Sequence, residues 1–471
     1  MKVLILTIVV LFCGIIASSQ TFYAHDRVYA ANQISNTVSV IDPSTNMLLG
    51  EIKLGKPYPN VLNPLYKGQA LVHGLRYCAA RKLLAVVSIG SNSVTFISTE
   101  NNQVLKTLYI GRSPHEPTFT PDNKQLWVSV RGEAYISVID VNLMKEIKRV
   151  PVADGPGMVA FTPDGKLAYV CSSFTPELDI VSTATLKIIK RIPVTSPFSP
   201  NIFTSPDGKW IALTHKDVGK VTVVNTSKMA VEKVITTGAI TNHVTFGIVD
   251  NILLMMVTVG GENKVRIFDV NNNFLQRDTI NVGALPHGIW SSADGKLMYI
   301  GIEYGDHVQA INLQNMTVTA TIQIGQSPQA LVYADNAVGN LSKSMTSLSL
   351  LNDTASTQVV VLNNIDINDN AHGRLAVRSI GLADLVEQAF SGLQPNTSYT
   401  LALSKSPIAP FSQDYQINTF QADSGGKYAG QSTGLIKELN TQTSKLLYRH
   451  VILIDNSSGN TILLDNLQVA R

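Results

Sequence analysis

The sequence predicts an all-β protein: a seven-bladed β-propeller followed by a β-sandwich. Three observations lead there. Short runs rich in β-branched residues alternate with polar positions through the first two thirds of the chain, a strand pattern and not a helical one. A turn of the Pro-Asp-Gly-Lys type recurs between those runs, as Pro121-Asp122-Asn123-Lys124, Pro163-Asp164-Gly165-Lys166, Pro206-Asp207-Gly208-Lys209 and Ala293-Asp294-Gly295-Lys296. The equivalent positions upstream of these turns are His73, His115, Gly157, Pro200, His243, His287 and Gln329, with spacings of 42, 42, 43, 43, 44 and 42 residues. A unit of that length carrying four strands is a propeller blade.

Taken in order, the chain opens on an apolar run, Val3 to Ile16, preceded by Lys2 and followed by Ala17-Ser18-Ser19. This reads as an export signal over Met1 to Gln20, cleaved near Ser19-Gln20, and not as a retained span. Phe12 before Cys13 is too bulky for lipoprotein processing. The stretch Arg27 to Gly55 then holds three strands where a full blade has four. The missing first strand is supplied by Gln329 to Tyr333, which has no second strand after it. Pairing the two joins the chain ends into a ring and leaves no free sheet edge. The propeller is therefore expected from residue 25 to 337.

Asp335 to Ser344 reads as a polar linker, and 345 to 471 as the sandwich, with six to eight strands and one or two helical turns within Gly381 to Phe390. Gly392-Leu393-Gln394-Pro395-Asn396-Thr397-Ser398-Tyr399 resembles the corner before a late strand of a fibronectin type III-like domain.

The propeller repeats carry a further resemblance. Tyr29-Ala30-Ala31-Asn32 followed by Asn36-Thr37-Val38-Ser39-Val40-Ile41-Asp42 is similar to the YVTN repeat of seven-bladed propellers, as are Ser113 to Phe119 and Leu126 to Gly132. That resemblance implies the fold and a spread of roles: surface-layer proteins, lactonase-like enzymes and the haem d1 domain of a nitrite reductase. The chain has no Cys-x-x-Cys-His motif for covalent haem.

With 37 basic and 34 acidic residues the formal charge is +3, and there is no basic run, so nucleic acid is not an expected partner. No second apolar stretch is long enough to span a bilayer once the signal is gone. Cys78 and Cys171 fall in different repeats and are expected to be free thiols. Six Asn-x-Ser/Thr sequons, at Asn225, Asn315, Asn340, Asn352, Asn396 and Asn456, mark exposed loops if the host glycosylates.

Candidate chemistry lies in the propeller channel, which the first strand of each blade lines. His73, His115, His243 and His287 share one register. Converging imidazoles suit a transition metal; channel-lining histidines bonded to water or to the next blade are the plainer reading. Because only blades 2 and 3, and 6 and 7, are neighbours, two pairs are expected in preference to one four-ligand site. The second strands end at Gln33, Ile89, Arg131, Ser173, Lys216, Val259 and Glu303, which places Arg131, Lys216 and Glu303 at the channel mouth. Glu116 beside His115, with Arg131, is a candidate hydrolytic group: a general base and an oxyanion stabiliser. No Gly-x-Ser-x-Gly elbow or phosphate loop is present.

The expected function is that of an exported, non-catalytic scaffold at the cell envelope, periplasmic, surface-bound or secreted, binding a protein or small molecule at the channel face without a cofactor. The alternative is a lactonase-like hydrolase or a metal-dependent oxidoreductase using the channel histidines.

Overall fold

The computed structural model describes residues 23–54, 70–351, 357–366, 369–379, 384–434 and 450–465. The expected signal peptide and Cys13 lie outside them. Seven four-stranded antiparallel sheets account for the first part of the chain. Blade 1 is made of Pro328–Ala334, Arg27–Asn32, Thr37–Asp42 and Met47–Lys53, hydrogen-bonded in that order. The ring closure is thus antiparallel, with Arg27 opposite Ala334 and Ala30 opposite Leu331.

The recurrent turn has a physical reason. In blade 4 the Asp164 carboxylate accepts from Thr162 Oγ1 at 2.7 Å and from Lys166 N at 3.1 Å, while Gly165 takes φ +69°. Aspartate here makes the turn that the backbone alone would leave open. Blades 3, 5 and 7 repeat it with Asp122, Asp207 and Asp294.

Each pair of neighbouring blades shares one apolar cluster, so the core is a ring of seven wedges. The wedge at the closure combines Val28, Ala30, Ile41, Leu331 and Tyr333 with Tyr299, Val308 and Ile322. The outer strands carry charge on their free edges, as in Lys145–Pro151 and Lys187–Pro193, which blocks edge-to-edge pairing. Cys78 and Cys171 are free and buried.

The stretch read as a linker is laid against the propeller. Thr99 Oγ1 donates to Ala337 O at 2.6 Å, Asn102 Nδ2 to Ser344 O at 2.6 Å, and Glu51 and Ser349 exchange two backbone hydrogen bonds. Compact units divide at Leu351/Asn352.

Among the described residues the C-terminal unit contains eight strands: Thr357–Asn364, His372–Ser379, Asp384–Ser391, Ser398–Ser404, Tyr415–Gln421, Tyr428–Thr433, His450–Asp455 and Thr461–Asp465. They form one continuous sheet, curled around a single core that includes Val360, Leu375, Leu401 and Leu453. Its two edge strands, Tyr415–Gln421 and Tyr428–Thr433, meet through the stacked rings of Phe420 and Tyr428, 3.9 Å apart, so the sheet nearly closes on itself. The helical turns expected within Gly381 to Phe390 are not formed where the structure describes it. Asp384–Ser391 is a strand, because its alternating Leu385/Glu387/Ala389 and Val386/Gln388/Phe390 faces pair on both sides. Gly381 to Ala383 lie outside the described residues.

A buried ion pair, Arg378 with Glu387, crosses two strands of this sheet; Arg378 is fully buried and Glu387 2% exposed. Glu387→Ala is expected to destabilise this unit by about 3–5 kcal/mol, since it strands a buried guanidinium. Melting followed separately for the two units checks this: the propeller transition should not move.

No helix among the described residues is long and apolar enough to cross a membrane.

Candidate functional site

The inner strands place their channel residues through a repeated irregularity. Register breaks between Val72 and Leu75, between Pro114 and Pro117, between Thr241 and Val244, and between Pro286 and Ile289. Each interval contains one of His73, His115, His243 and His287. A β-bulge re-aims a side chain that regular pleating would send into the wedge. The bulge is prepared by a left-handed residue just upstream: Leu71, Ser113, Leu285 and, with one residue more, Ile240.

The four histidines meet in pairs. The His73 and His115 rings lie 4.5 Å apart and those of His243 and His287 4.6 Å apart. His73 and His287 are also in contact, at 6.5 Å, although blade 1 separates their blades. The rings thus pair within neighbouring blades, 2 with 3 and 6 with 7, as the register predicts, and no group of all four forms among the described residues. The bulges carry the imidazoles inward far enough to bring one ring of each pair within 6.5 Å of the other. Backbone contacts hold them. His115 Nδ1 donates to Gly157 O at 2.8 Å, and His287 Nδ1 to Gln329 O at 2.6 Å. A carbonyl can only accept, so Nδ1 carries the proton and Nε2 keeps a lone pair. The Thr258 hydroxyl accepts from His243 N and donates to His287 O, tying blades 6 and 7 at this level.

Burial is the largest influence on all four rings and holds them below the ordinary imidazole range, His287 down to about 3. Arg131 adds to the effect on His73 and His115, and Lys216 on His73, His243 and His287. The imidazoles are therefore neutral at pH 7.

Glu116 lies beside His73 and His115, with one ligand-type atom of each of the three residues within 4.8 Å of the others. Burial pushes its carboxyl up to about 7, against the pull of Arg76 and Arg131. Gly74 makes the room: a Cβ there would stand 2.7 Å from Glu116 Oε2 and 2.3 Å from His115 O. His73 Nδ1 and Glu116 Oε2 are buried without a hydrogen-bond partner.

Of the residues expected at the mouth, Arg131 is coupled to Glu116, while Glu303 is coupled to Lys216. The trio Glu116, Arg131 and Glu303 is thus divided between two neighbourhoods. Burial lowers both Arg131 and Lys216, and Lys216 is lowered further by Arg131.

Arg76 was not among the sequence-derived candidates. It reaches from blade 2 across the channel to blades 4, 5 and 7, with its guanidinium 4.6 Å from the Trp290 ring, 5.3 Å from the Phe203 ring and 3.6 Å from Met158 Sδ. It lies near enough to His243 and Glu116 to act on both. A signal existed: three residues after the histidine register, the other blades carry Thr118, Ala160, Phe203, Phe246, Trp290 and Val332, so Arg76 is the one charge in that layer.

No protein-family model matches the chain, and no curated protein sequence matches it. Solved structures do. Hydrazine synthase of Kuenenia stuttgartiensis is similar over 58% of this chain and 91% of that chain, with 19% identity and a TM-score of 0.52. A protein of Desulfotomaculum acetoxidans described as functionally unknown is similar over 66% of this chain and 99% of its own, with 12% identity and a TM-score of 0.56. At these identities the likeness concerns the propeller fold alone.

Proposed function

We propose that the protein is an exported, non-catalytic scaffold whose propeller takes a small anionic molecule, a carboxylate or phosphate, into its channel. The observation that carries this reading is the pair Arg131 and Lys216. Both are partly buried, and Arg131 makes the charge on Lys216 more costly, while Glu303 offsets Lys216 and Glu116 offsets Arg131. Like charges held close out of water are relieved by an anion between them. Arg76 adds a third cation among the channel residues, and the neutral histidines offer hydrogen-bonding nitrogens without adding charge. The signal-like segment at Met1 to Gln20 supports an extracytoplasmic setting.

The test is thermal shift and calorimetry with acetate, succinate and phosphate. The expected result is a rise in melting temperature that falls off with ionic strength. Arg131→Gln or Lys216→Gln should weaken binding by about tenfold or more, the scale of one charge-assisted hydrogen bond. Equal responses in wild type and variants would remove the reading. Hydrolysis of a lactone panel, abolished in Glu116→Gln, would replace it with the catalytic alternative.

A further inference from the structure

We propose that His73, His115 and Glu116 form a binding site for a divalent first-row transition metal in the propeller channel. Its ligands are not the Arg131 and Lys216 pair that carries the anion reading, although Arg131 acts on both sites.

Four observations support it. One ligand-type atom from each residue lies within 4.8 Å of the others. Donors around one zinc-like ion at about 2.1 Å stand roughly 3.4 Å apart in tetrahedral geometry, so the three side chains need to close by about 1 Å or a little more. His115 is already prepared as a ligand: its Nδ1–H is held by Gly157 O, which leaves Nε2 as the lone-pair nitrogen. That outer hydrogen bond, fixing the tautomer and ring orientation, is the support that metal-bound imidazoles ordinarily have. His73 is 7% exposed and Glu116 2% exposed, and each keeps a buried polar atom, Nδ1 and Oε2, without a partner. Such atoms are costly in a folded protein, and a ligand that satisfies both removes the cost. Finally, Gly74 leaves the three side chains room to approach one another, since a Cβ there would stand 2.7 Å from Glu116 Oε2.

Two imidazoles and one carboxylate favour borderline ions such as Zn(II), Co(II), Ni(II) or Cu(II) over Mg(II) and Ca(II), which prefer all-oxygen shells. Three protein ligands leave at least one position open toward the channel. His287, in ring contact with His73, is the nearest further imidazole from the other pair. Arg131 opposes a cation here, and Glu116 offsets it. This gives a signature that separates the two readings: Arg131→Gln should weaken anion binding and strengthen metal binding.

The experiment uses the full, untagged protein stripped with chelator and titrated with Co(II), read by its visible ligand-field bands, and with Zn(II), read by calorimetry. One metal per chain is expected, with nitrogen ligation at low coordination number. His115→Ala and Glu116→Gln should each weaken binding about 100-fold, whereas His243→Ala should leave it nearly unchanged. Far-UV circular dichroism and melting in chelator establish that the variants fold; Glu116→Gln keeps shape and volume and serves if His115→Ala does not. No binding at millimolar metal, unchanged binding in Glu116→Gln, or loss of binding in His243→Ala would each overturn the assignment.

Discussion

A chain ending at Gly325 is expected to show no cooperative unfolding transition, whereas a chain ending at Leu351 should unfold cooperatively. The first removes Pro328–Ala334, whose seven residues are all buried and pair with Arg27–Asn32 to close the ring. Leu331, Val332 and Tyr333 are each 2% exposed. Fully burying side chains of this size is worth about 1.5–3 kcal/mol apiece, and their removal also leaves Val28, Ala30 and Tyr299 without cover in the closing wedge. That loss is comparable with the whole stability of an ordinary domain, about 5–15 kcal/mol. A third chain, ending at Asn340, isolates the apparent linker. It keeps Ala337 and Val338 in their wedge but loses the contacts of Ser344 and Ser349 with Arg27, Asn102 and Glu51. At about 1 kcal/mol for each hydrogen bond, it should fold and be weaker than the Leu351 chain by about 2–4 kcal/mol. Chemical denaturation of the three chains measures this. A cooperative transition for the Gly325 chain equal to that of the Leu351 chain would show that the closing strand is dispensable.

The ring was legible in the sequence because its causes are local and repeated. Asp164 and its equivalents recur where a turn needs a side-chain acceptor, and a period near 42 needs only counting. The split blade followed from a strand missing at one end and unpaired at the other. The course of 335–351 was hidden because its contacts, Ser344 to Asn102 and Ser349 to Glu51, are long-range and leave no periodicity. The single curled sheet of the C-terminal unit was hidden for the same reason: alternation sets strand number but not which edges meet, and here Phe420 and Tyr428 decide it.

In the channel, the histidine register and its two pairs were readable, but the approach of His73 to His287 across blade 1 was not. Regular pleating keeps nonadjacent blades apart, and only the bulges after Leu71 and Leu285 bring His73 against His287. Arg76 shows the opposite case. Its position was visible as a lone charge among apolar and small residues, but its role depends on Trp290 and Phe203 arriving from other blades.

Acid should weaken the propeller through its buried imidazoles, beginning below about pH 6.5. His215 is fully buried between Ser199 Oγ at 2.8 Å and Thr222 Oγ1 at 2.6 Å, and burial lowers it to about 4 despite Asp217. His287 is lowered to about 3, and His73, His115 and His243 lie well below their ordinary value. The unfolded chain takes up these protons near pH 6.5, while the folded ring resists them. Stability contributed by a depressed imidazole is present above the unfolded value and is lost as pH falls toward the folded one. For His215 the loss between pH 6.5 and 4 is about 3 kcal/mol, at 1.36 kcal/mol per unit. Glu116 works the other way, since a carboxyl pushed up to about 7 gains stability on acidification by about 3 kcal/mol. Glu51, Asp179 and Asp335 are raised and act in its sense. Four raised carboxyls thus oppose five lowered imidazoles, and His215 is the imidazole whose own contribution one variant isolates. Denaturant midpoints in the presence of chelator should fall steadily from pH 6.5 to pH 4.5. His215→Asn, which keeps a hydrogen-bonding group and loses the titration, should remove about 3 kcal/mol of that dependence. A midpoint at pH 5 equal to that at pH 7.5, or a slope unchanged in His215→Asn, would show that buried imidazoles do not set the acid limit of the ring.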